Sequence, residues 1–259
     1  MKRNLNRRKI FSFNKIYFYF IFFTIVLTII ISILYFQKKD LLNYTNKSID
    51  TFSKIFDYQF VNYTAKGILK VNEQFIEKRV QKYYDSSIFL LPLESISNEL
   101  KENSWVKNIK LNINYKDTLI IEIEEYNPIG IYDFNNKKFY FDSNGKIIEE
   151  VKKIHTSENN LILFTGKSSN LKAKYILDII NNLSFHKKFN IKKIVYIKNR
   201  RWDLYLKNGT KLMLSENYPE ISLKNFIKIE NNLSKTDMNN INYLDLRNIT
   251  KTLITYIND

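Results

Sequence analysis

The chain has 259 residues and a formal net charge of +15, from 41 Lys and Arg against 26 Asp and Glu. It contains no Cys, which excludes a disulfide framework, a thiolate metal site and a cysteine nucleophile. Its low content of Gly and Pro, with 44% apolar residues, argues against a disordered or collagen-like chain. The positive charge suggests nucleic acid as a partner, but the location of this charge along the chain decides whether that interpretation holds.

Much of this charge lies at the N-terminus, in front of an apolar segment. Residues 1–15 contain no acidic residue and six basic ones: Lys2, Arg3, Arg7, Arg8, Lys9 and Lys15. Residues 16–36 contain no charged residue, no Gly and no Pro. Twenty-one helical residues span roughly 31 Å, about one hydrocarbon core, and a basic flank places the N-terminus in the cytoplasm.

This pattern predicts a cytoplasmic tail over 1–15, a transmembrane helix over 16–36 and a spacer over 37–57. The rest of the chain is then periplasmic or otherwise outside the cytoplasmic membrane. A cleaved signal peptide is the alternative, but the apolar run is longer than the hydrophobic core of a typical signal peptide, and no small-residue cleavage site follows it. Residues 37–259 carry the remaining net charge of +9, and no basic cluster there is interleaved with aromatic residues. An exported domain also rarely meets nucleic acid, so no nucleic acid partner is predicted.

The first exported domain is predicted over 58–127, with the order β-α-α-β-β. Alternating Val61, Tyr63 and Ala65 predict a strand that Gly67 ends. Apolar residues at helical spacing predict two helices, one after Asn72 and one over 93–100. Strict alternation predicts a hairpin with one buried face, made by Ile109, Leu111, Ile113 and Tyr115 and then by Leu119, Ile121 and Ile123.

This order of elements resembles a POTRA domain, and the chain as a whole resembles the bacterial cell-division family FtsQ, called DivIB in Gram-positive bacteria. Residues 89–93 resemble the family's loop between the two helices. Residues 103–107 read Asn-Ser-Trp-Val-Lys and resemble its Asn-Pro-Trp-Val-Lys signature. Residues 119–123, followed by Glu125 and Pro128, resemble its strand with Glu-x-x-Pro.

The second exported domain, over 128–259, is predicted to be a mixed β domain with helices. Asn-Gly turns at 144–145 and 208–209 predict two hairpins, and amphipathic patterns predict helices near 171–183 and 223–233. The segment from Arg200 to Gly209 resembles the family's Arg-x-Trp-x-Leu-x-Leu-x-x-Gly block. The sequence Tyr-Leu-Asp-Leu-Arg at 243–247 resembles its Tyr-Val-Asp-Leu-Arg. The predicted fold class is α+β.

Catalysis has little support in the sequence. Alternation places Glu122 and Glu124 on one strand face, where two carboxylates could act as acid and base, but this is also the solvent side of a half-buried strand. His155 and His186 have no nucleophile pattern nearby, and no P-loop, dinucleotide fingerprint or Gly-x-Ser-x-Gly is present. We therefore expect no enzymatic activity, no cofactor and no metal.

The C-terminal residues 248–257 indicate a binding edge. They are rich in Thr and Ile and lack Pro, so they favour a final strand to which a partner strand can add; an ordinary internal strand is the alternative. The resemblance implies recruitment of FtsB and FtsL by this region, with the protein concentrated at the division septum. The candidate partner-binding residues are Arg200, Arg201, Trp202, Arg247, Asn248, Thr250, Leu253 and Tyr256.

Three alternatives remain open. Trp105 and Trp202 lie beside alternating strands, where they either pack in a sheet or stand exposed as interface anchors. The function predicted from the resemblance is a divisome scaffold, and the alternative is an exported POTRA module that handles β-strand clients in outer-membrane assembly or secretion. A membrane-tethered hydrolase of cell-wall material is a third possibility, which requires a pocket with perturbed acids.

Overall fold

The computed structural model of the chain describes residues 13–114, 116–152 and 161–257. The basic residues predicted to orient the tail, except Lys15, and the loop histidine His155 lie outside the described residues. The helices are α1 (Phe13–Ile55), α2 (Glu73–Val80), α3 (Leu93–Leu100), α4 (Ser169–Asn182), α5 (Phe185–Lys188), α6 (Pro219–Asn232) and α7 (Lys235–Asn239). The strands are β1 (Asn62–Lys66), β2 (Val106–Ile113), β3 (Thr118–Glu125), β4 (Gly130–Phe134), β5 (Lys137–Phe141), β6 (Ile147–Glu150), β7 (Leu163–Thr165), β8 (Ile191–Ile197), β9 (Arg201–Leu206), β10 (Lys211–Leu214), β11 (Ile241–Leu246) and β12 (Leu253–Tyr256).

Helix α1 contains the apolar segment 16–36 and continues without a break through most of the predicted spacer. In the described part of the chain, none of the helices combines the length and apolar character that crossing a membrane requires. The structure therefore does not confirm the membrane span predicted over 16–36.

The chain forms two compact units. The first contains the residues up to Thr64 together with Val80–Glu94 and Leu111–Ile120. In this unit the C-terminal end of α1 is bound to the turn at Ile88–Leu90. The buried hydroxyls of Ser53 and Ser87 share a hydrogen bond of 2.6 Å, and the ring of Tyr58 lies 5.4 Å from that of Phe89. These contacts tie α1 to the loop that precedes α3.

Strands β1, β3 and β2 form a three-stranded sheet in that order. With α2 and α3 between β1 and β2, the β-α-α-β-β order predicted from the sequence is confirmed. The alternation on β3 buries Leu119, Ile121 and Ile123, as predicted. Val61 differs from the prediction, because β1 begins one residue later and leaves this side chain 61% exposed.

The second compact unit contains Ala65–Arg79, Ser95–Lys110 and the chain from Ile121 onwards. Within it, the Glu125 carboxylate accepts hydrogen bonds of 2.8–2.9 Å from the backbone N–H groups of residues 69–71, which fixes the loop after β1. Trp105 is buried, and its indole N–H donates to Glu149 at 2.6 Å while its ring packs 5.5 Å from that of Tyr140. Trp105 is therefore a packing residue and not an exposed anchor.

The other nine strands form one mixed sheet, in the order β12-β11-β10-β9-β8-β7-β4-β5-β6. Both predicted Asn-Gly hairpins are present, as β5–β6 and β9–β10. The pairs β4–β7, β7–β8 and β10–β11 are parallel. Helices α4 and α6 pack on the sheet and cover a core that includes Phe164, Ile176, Leu204, Leu212, Phe226 and Leu244. The α+β fold class is confirmed.

Candidate partner-binding site

Strand β12 is the last strand of the nine-stranded sheet. It pairs antiparallel with β11, with Leu253 opposite Asp245 and Thr255 opposite Tyr243. This pairing uses one edge of β12, and the opposite edge takes no part in the described sheet. Backbone groups along such an edge can pair with an added strand. Leu253 is 55% and Tyr256 36% exposed, so both side chains are accessible beside this edge.

The strand predicted over 248–257 is shorter in the structure, because β12 begins only at Leu253. Asn248 explains the difference. Its side-chain oxygen accepts hydrogen bonds from the backbone N–H groups of Thr250 at 2.9 Å and Lys251 at 3.3 Å, and from the Thr250 hydroxyl at 2.8 Å. Such local bonds compete with extended structure and favour a turn. Asn248 and Thr250 therefore belong to the β11–β12 connection, residues 247–252.

Arg247 begins this connection and is paired with Asp245. The Arg247 Nε lies 2.9 and 3.0 Å from the two carboxylate oxygens. Hydrogen bonding from Arg247 lowers the pKa of the Asp245 carboxyl from its ordinary value of 3.8, although partial burial opposes this shift. The same pair raises the pKa of the Arg247 guanidinium.

The pH dependence of this pair can be tested with Arg247→Met. Because the pKa of Asp245 is lower in the folded chain than its ordinary 3.8, the pair stabilises the fold above that pH, and this stability is lost as the pH falls through the folded-state value. We expect the stability difference between wild type and Arg247→Met to be present at pH 6 and to vanish towards pH 2. Urea unfolding across this range measures it, with Lys251→Met as a charge-matched control from the same connection. An unchanged difference at all pH values would contradict the assignment.

The predicted residues at and just before the start of β9 have different surroundings. Arg200 is exposed, and its Nε lies 3.0 Å from Glu216. Trp202 is 4% exposed and stacks on Tyr196 with ring centroids 4.3 Å apart, so it belongs to the core. Its burial corrects the expectation of a direct partner contact, because the strand register points this side chain towards the apolar core cluster.

Asp203, which is not among the residues predicted from the sequence, is fully buried on β9. Its carboxylate lies 3.2 Å from Arg201 Nε and 3.0 Å from Lys211 Nζ. Burial lowers the pKa of Lys211, but the ion pair with the Asp203 carboxylate outweighs it, and the net pKa is raised. In the sequence, this buried carboxylate could have been recognised as an acidic residue that lies between Trp202 and Leu204 in an apolar strand.

The residues considered for catalysis are not gathered into a site. Glu124 is exposed and Glu122 is half-buried, and their carboxylates lie near Lys107 and Lys110, respectively. His186 is in the short helix α5. Among the described residues, no group of three or more His, Cys, Asp and Glu side chains is placed to hold a metal ion. The arrangement around β12 is suited to binding a polypeptide.

Comparison with known proteins agrees with this fold. The family model described as POTRA domain, FtsQ-type, matches residues 65–126, and the one described as Cell division protein FtsQ/DivIB, C-terminal, matches residues 131–247. These two matches define a cell-division protein with a POTRA domain in front of its C-terminal domain.

Curated relatives carry the same family name. The chain is 30% identical over 200 residues to Cell division protein FtsQ of Rickettsia prowazekii, covering 76% of this chain and 72% of the relative. It is 31% identical over 199 residues to the protein of the same name from Rickettsia bellii, with the same coverage. The FtsQ of Zymomonas mobilis is 27% identical over 165 residues, which cover 63% of this chain and 51% of that protein. The chain belongs to the FtsQ/DivIB family of cell-division proteins.

Proposed function

We propose that the protein is a non-enzymatic scaffold of the divisome that recruits and holds other cell-division membrane proteins at the septum. Its partners are FtsB and FtsL, most directly through a strand that adds to the outer edge of β12. Membership of the FtsQ/DivIB family supports the process. The single observation that carries the binding mode is the end position of β12, whose outer edge pairs with no other strand in the described part of the chain.

The side chains near this edge support a polypeptide partner. Leu253 and Tyr256 offer exposed apolar area, while Arg247, Asn248 and Thr250 offer charge and polar groups at the start of the connection. Arg200, just before β9, and Arg201, its first residue, add positive charge farther from this edge, with β10 and β11 between β9 and β12. Backbone pairing supplies affinity in such complexes, and the side chains beside the edge supply specificity.

The proposal includes a membrane anchor over 16–36, with the N-terminus in the cytoplasm and the POTRA and C-terminal domains, 58–127 and 128–259, outside. It is supported by the absence of charge over 16–36 and by the basic residues before this segment. The apolar side chains described between Tyr17 and Ile33 are mostly half exposed or more, as suits residues that face lipid.

Deletion of residues 248–259 tests the binding mode. We expect the truncated chain to fold and to lose its capture of FtsB, because β12 and the connection are removed while the other strands of the sheet remain. Circular dichroism establishes folding, and a pull-down of FtsB measures binding. The control variant carries Lys137→Ala and Lys138→Ala on β5, which lies near the opposite end of the sheet from β12. It should bind FtsB normally. Undiminished capture by the folded truncated chain would show that β12 is not the binding edge.

The cellular role is tested by locating a fluorescent fusion of the full chain. We expect a band at mid-cell, because a divisome scaffold accumulates where the septum forms. Uniform signal around the envelope contradicts the divisome role and is the pattern expected of a module for outer-membrane assembly or secretion.

A further inference from the structure

Two side chains of helix α6 bind the end of β11 and the β11–β12 connection. The Asn225 side-chain amide donates to the backbone carbonyl of Ile249 at 2.8 Å. One turn earlier, the Ser222 hydroxyl donates to the carbonyl of Leu246 at 2.8 Å and accepts from the N–H of Ser215 at 3.0 Å. Helix α6 thus binds the chain where it leaves β11 and again in the middle of the connection.

The helix that supplies these contacts is firmly packed. Leu223 and Phe226 of α6 are fully buried in the main core, and Ser222 itself has no exposed surface. The two contact residues are three apart, so they lie on neighbouring positions of one helix face. A helix that is packed this firmly can fix the position of the backbone groups that its side chains bind.

Strand β12 is short and lies at the end of the described sheet, where it pairs with β11 and where Ile254 packs against the core. It is four residues long, its side chains are exposed or half-buried, and it pairs with one neighbour. Beyond the strand, the N–H of Ile257 donates to the carbonyl of Asn240 at 2.8 Å. Before it, the turn built by Asn248 leads back to the carbonyl that Asn225 holds. The segments at its two ends therefore add to the pairing with β11 in fixing the strand.

We propose that Asn225, supported by Ser222, is a positioning residue for the partner edge. It acts through Ile249 and not through contact with the partner. By holding the connection against α6, it keeps β12 paired with β11, so that the edge of β12 is ordered. This inference rests on the proposed function of that edge. A strand that is ordered for only a fraction of the time binds with an affinity reduced by that fraction, so losing the Asn225 contact weakens binding without removing any contact with the partner.

The test compares three variants of the full chain in detergent. Asn225→Asp has nearly the same shape but replaces the amide donor by a carboxylate oxygen that repels the Ile249 carbonyl. Asn225→Gln keeps an amide donor. Asn232→Asp is the matched control, because Asn232 lies on the same helix and donates to Lys228 within it. Amide hydrogen exchange over 248–257, affinity for purified FtsB and the urea unfolding midpoint are measured for each.

We expect Asn225→Asp to speed exchange over 248–257 and to weaken FtsB binding, each by about threefold to tenfold, which is the effect of losing one net hydrogen bond. Asn225→Gln should fall between Asp and wild type, and Asn232→Asp should match wild type. Unchanged exchange in Asn225→Asp overturns the idea that this contact holds the connection. Faster exchange with unchanged FtsB affinity, or weakened binding explained wholly by a lower unfolding midpoint, overturns the positioning role. If wild type itself does not bind FtsB, the proposed function fails and this inference fails with it, whereas the exchange data still report whether Asn225 holds the connection.

Discussion

Replacing Gly67 by alanine is expected to destabilise the fold by about 3 kcal/mol. Gly67 follows β1 with φ +77°, and a Cβ there would lie 2.1 Å from the backbone carbonyl oxygen of Ile123 on β3. The left-handed φ and the clash with the Ile123 carbonyl oxygen both involve the backbone, so no side-chain rotation can relieve either of them. The free energy of unfolding, measured in urea by far-ultraviolet circular dichroism, gives the loss.

Gly209→Ala is the control for backbone conformation alone. Gly209 has φ +98° at the turn between β9 and β10, but a Cβ there would meet no atom within 4 Å. We expect this change to cost about 1 kcal/mol, the price of a left-handed conformation without a clash. Equal losses for the two variants would contradict the close approach between Gly67 and β3.

Asp203→Ala should also cost about 3 kcal/mol, because it leaves two partly buried cations without their shared carboxylate. The side chains of Arg201 and Lys211 are only 18% and 29% exposed, so water cannot fully replace Asp203. A Trp105→Phe background leaves Trp202, the neighbour of Asp203, as the only tryptophan whose fluorescence reports unfolding. Urea unfolding in this background measures the change.

The matched control is Asp178→Ala, which breaks an exposed ion pair between Lys174 and Asp178 on α4. Pairs of this kind contribute about 0.3–0.5 kcal/mol. A loss for Asp203→Ala no larger than for Asp178→Ala would show that the buried carboxylate does not organise this part of the sheet.

Local patterns in the sequence predicted most of the secondary structure. Alternation located β2 and β3, and the Asn-Gly pair at 208–209 located the turn between β9 and β10, where the Gly209 N–H donates to Leu206. These features depend on residues close in sequence. The parallel pairs β4–β7, β7–β8 and β10–β11 have no such signal, because the register of distant strands is set by packing in the assembled core.

The candidate site could be predicted only in part. Motif resemblance located the edge region, but local polar bonds at Asn248 shortened the strand, and packing buried Trp202. The contact between Asn225 and Ile249 joins residues 24 apart, and nothing in the sequence near either residue indicates it. Buried Asp203 likewise depends on Lys211 from the neighbouring strand for one of its partners.

The most direct test of the proposed binding edge is amide hydrogen exchange on the full chain, with and without FtsB and FtsL. If a partner strand adds to β12, the amides of Leu253–Tyr256 become strongly protected in the complex, while those of the edge strands β1 and β2 in the three-stranded sheet keep their rates. Protection of β1 or β2 without any change over β12 would contradict the account and move the binding site to the POTRA domain.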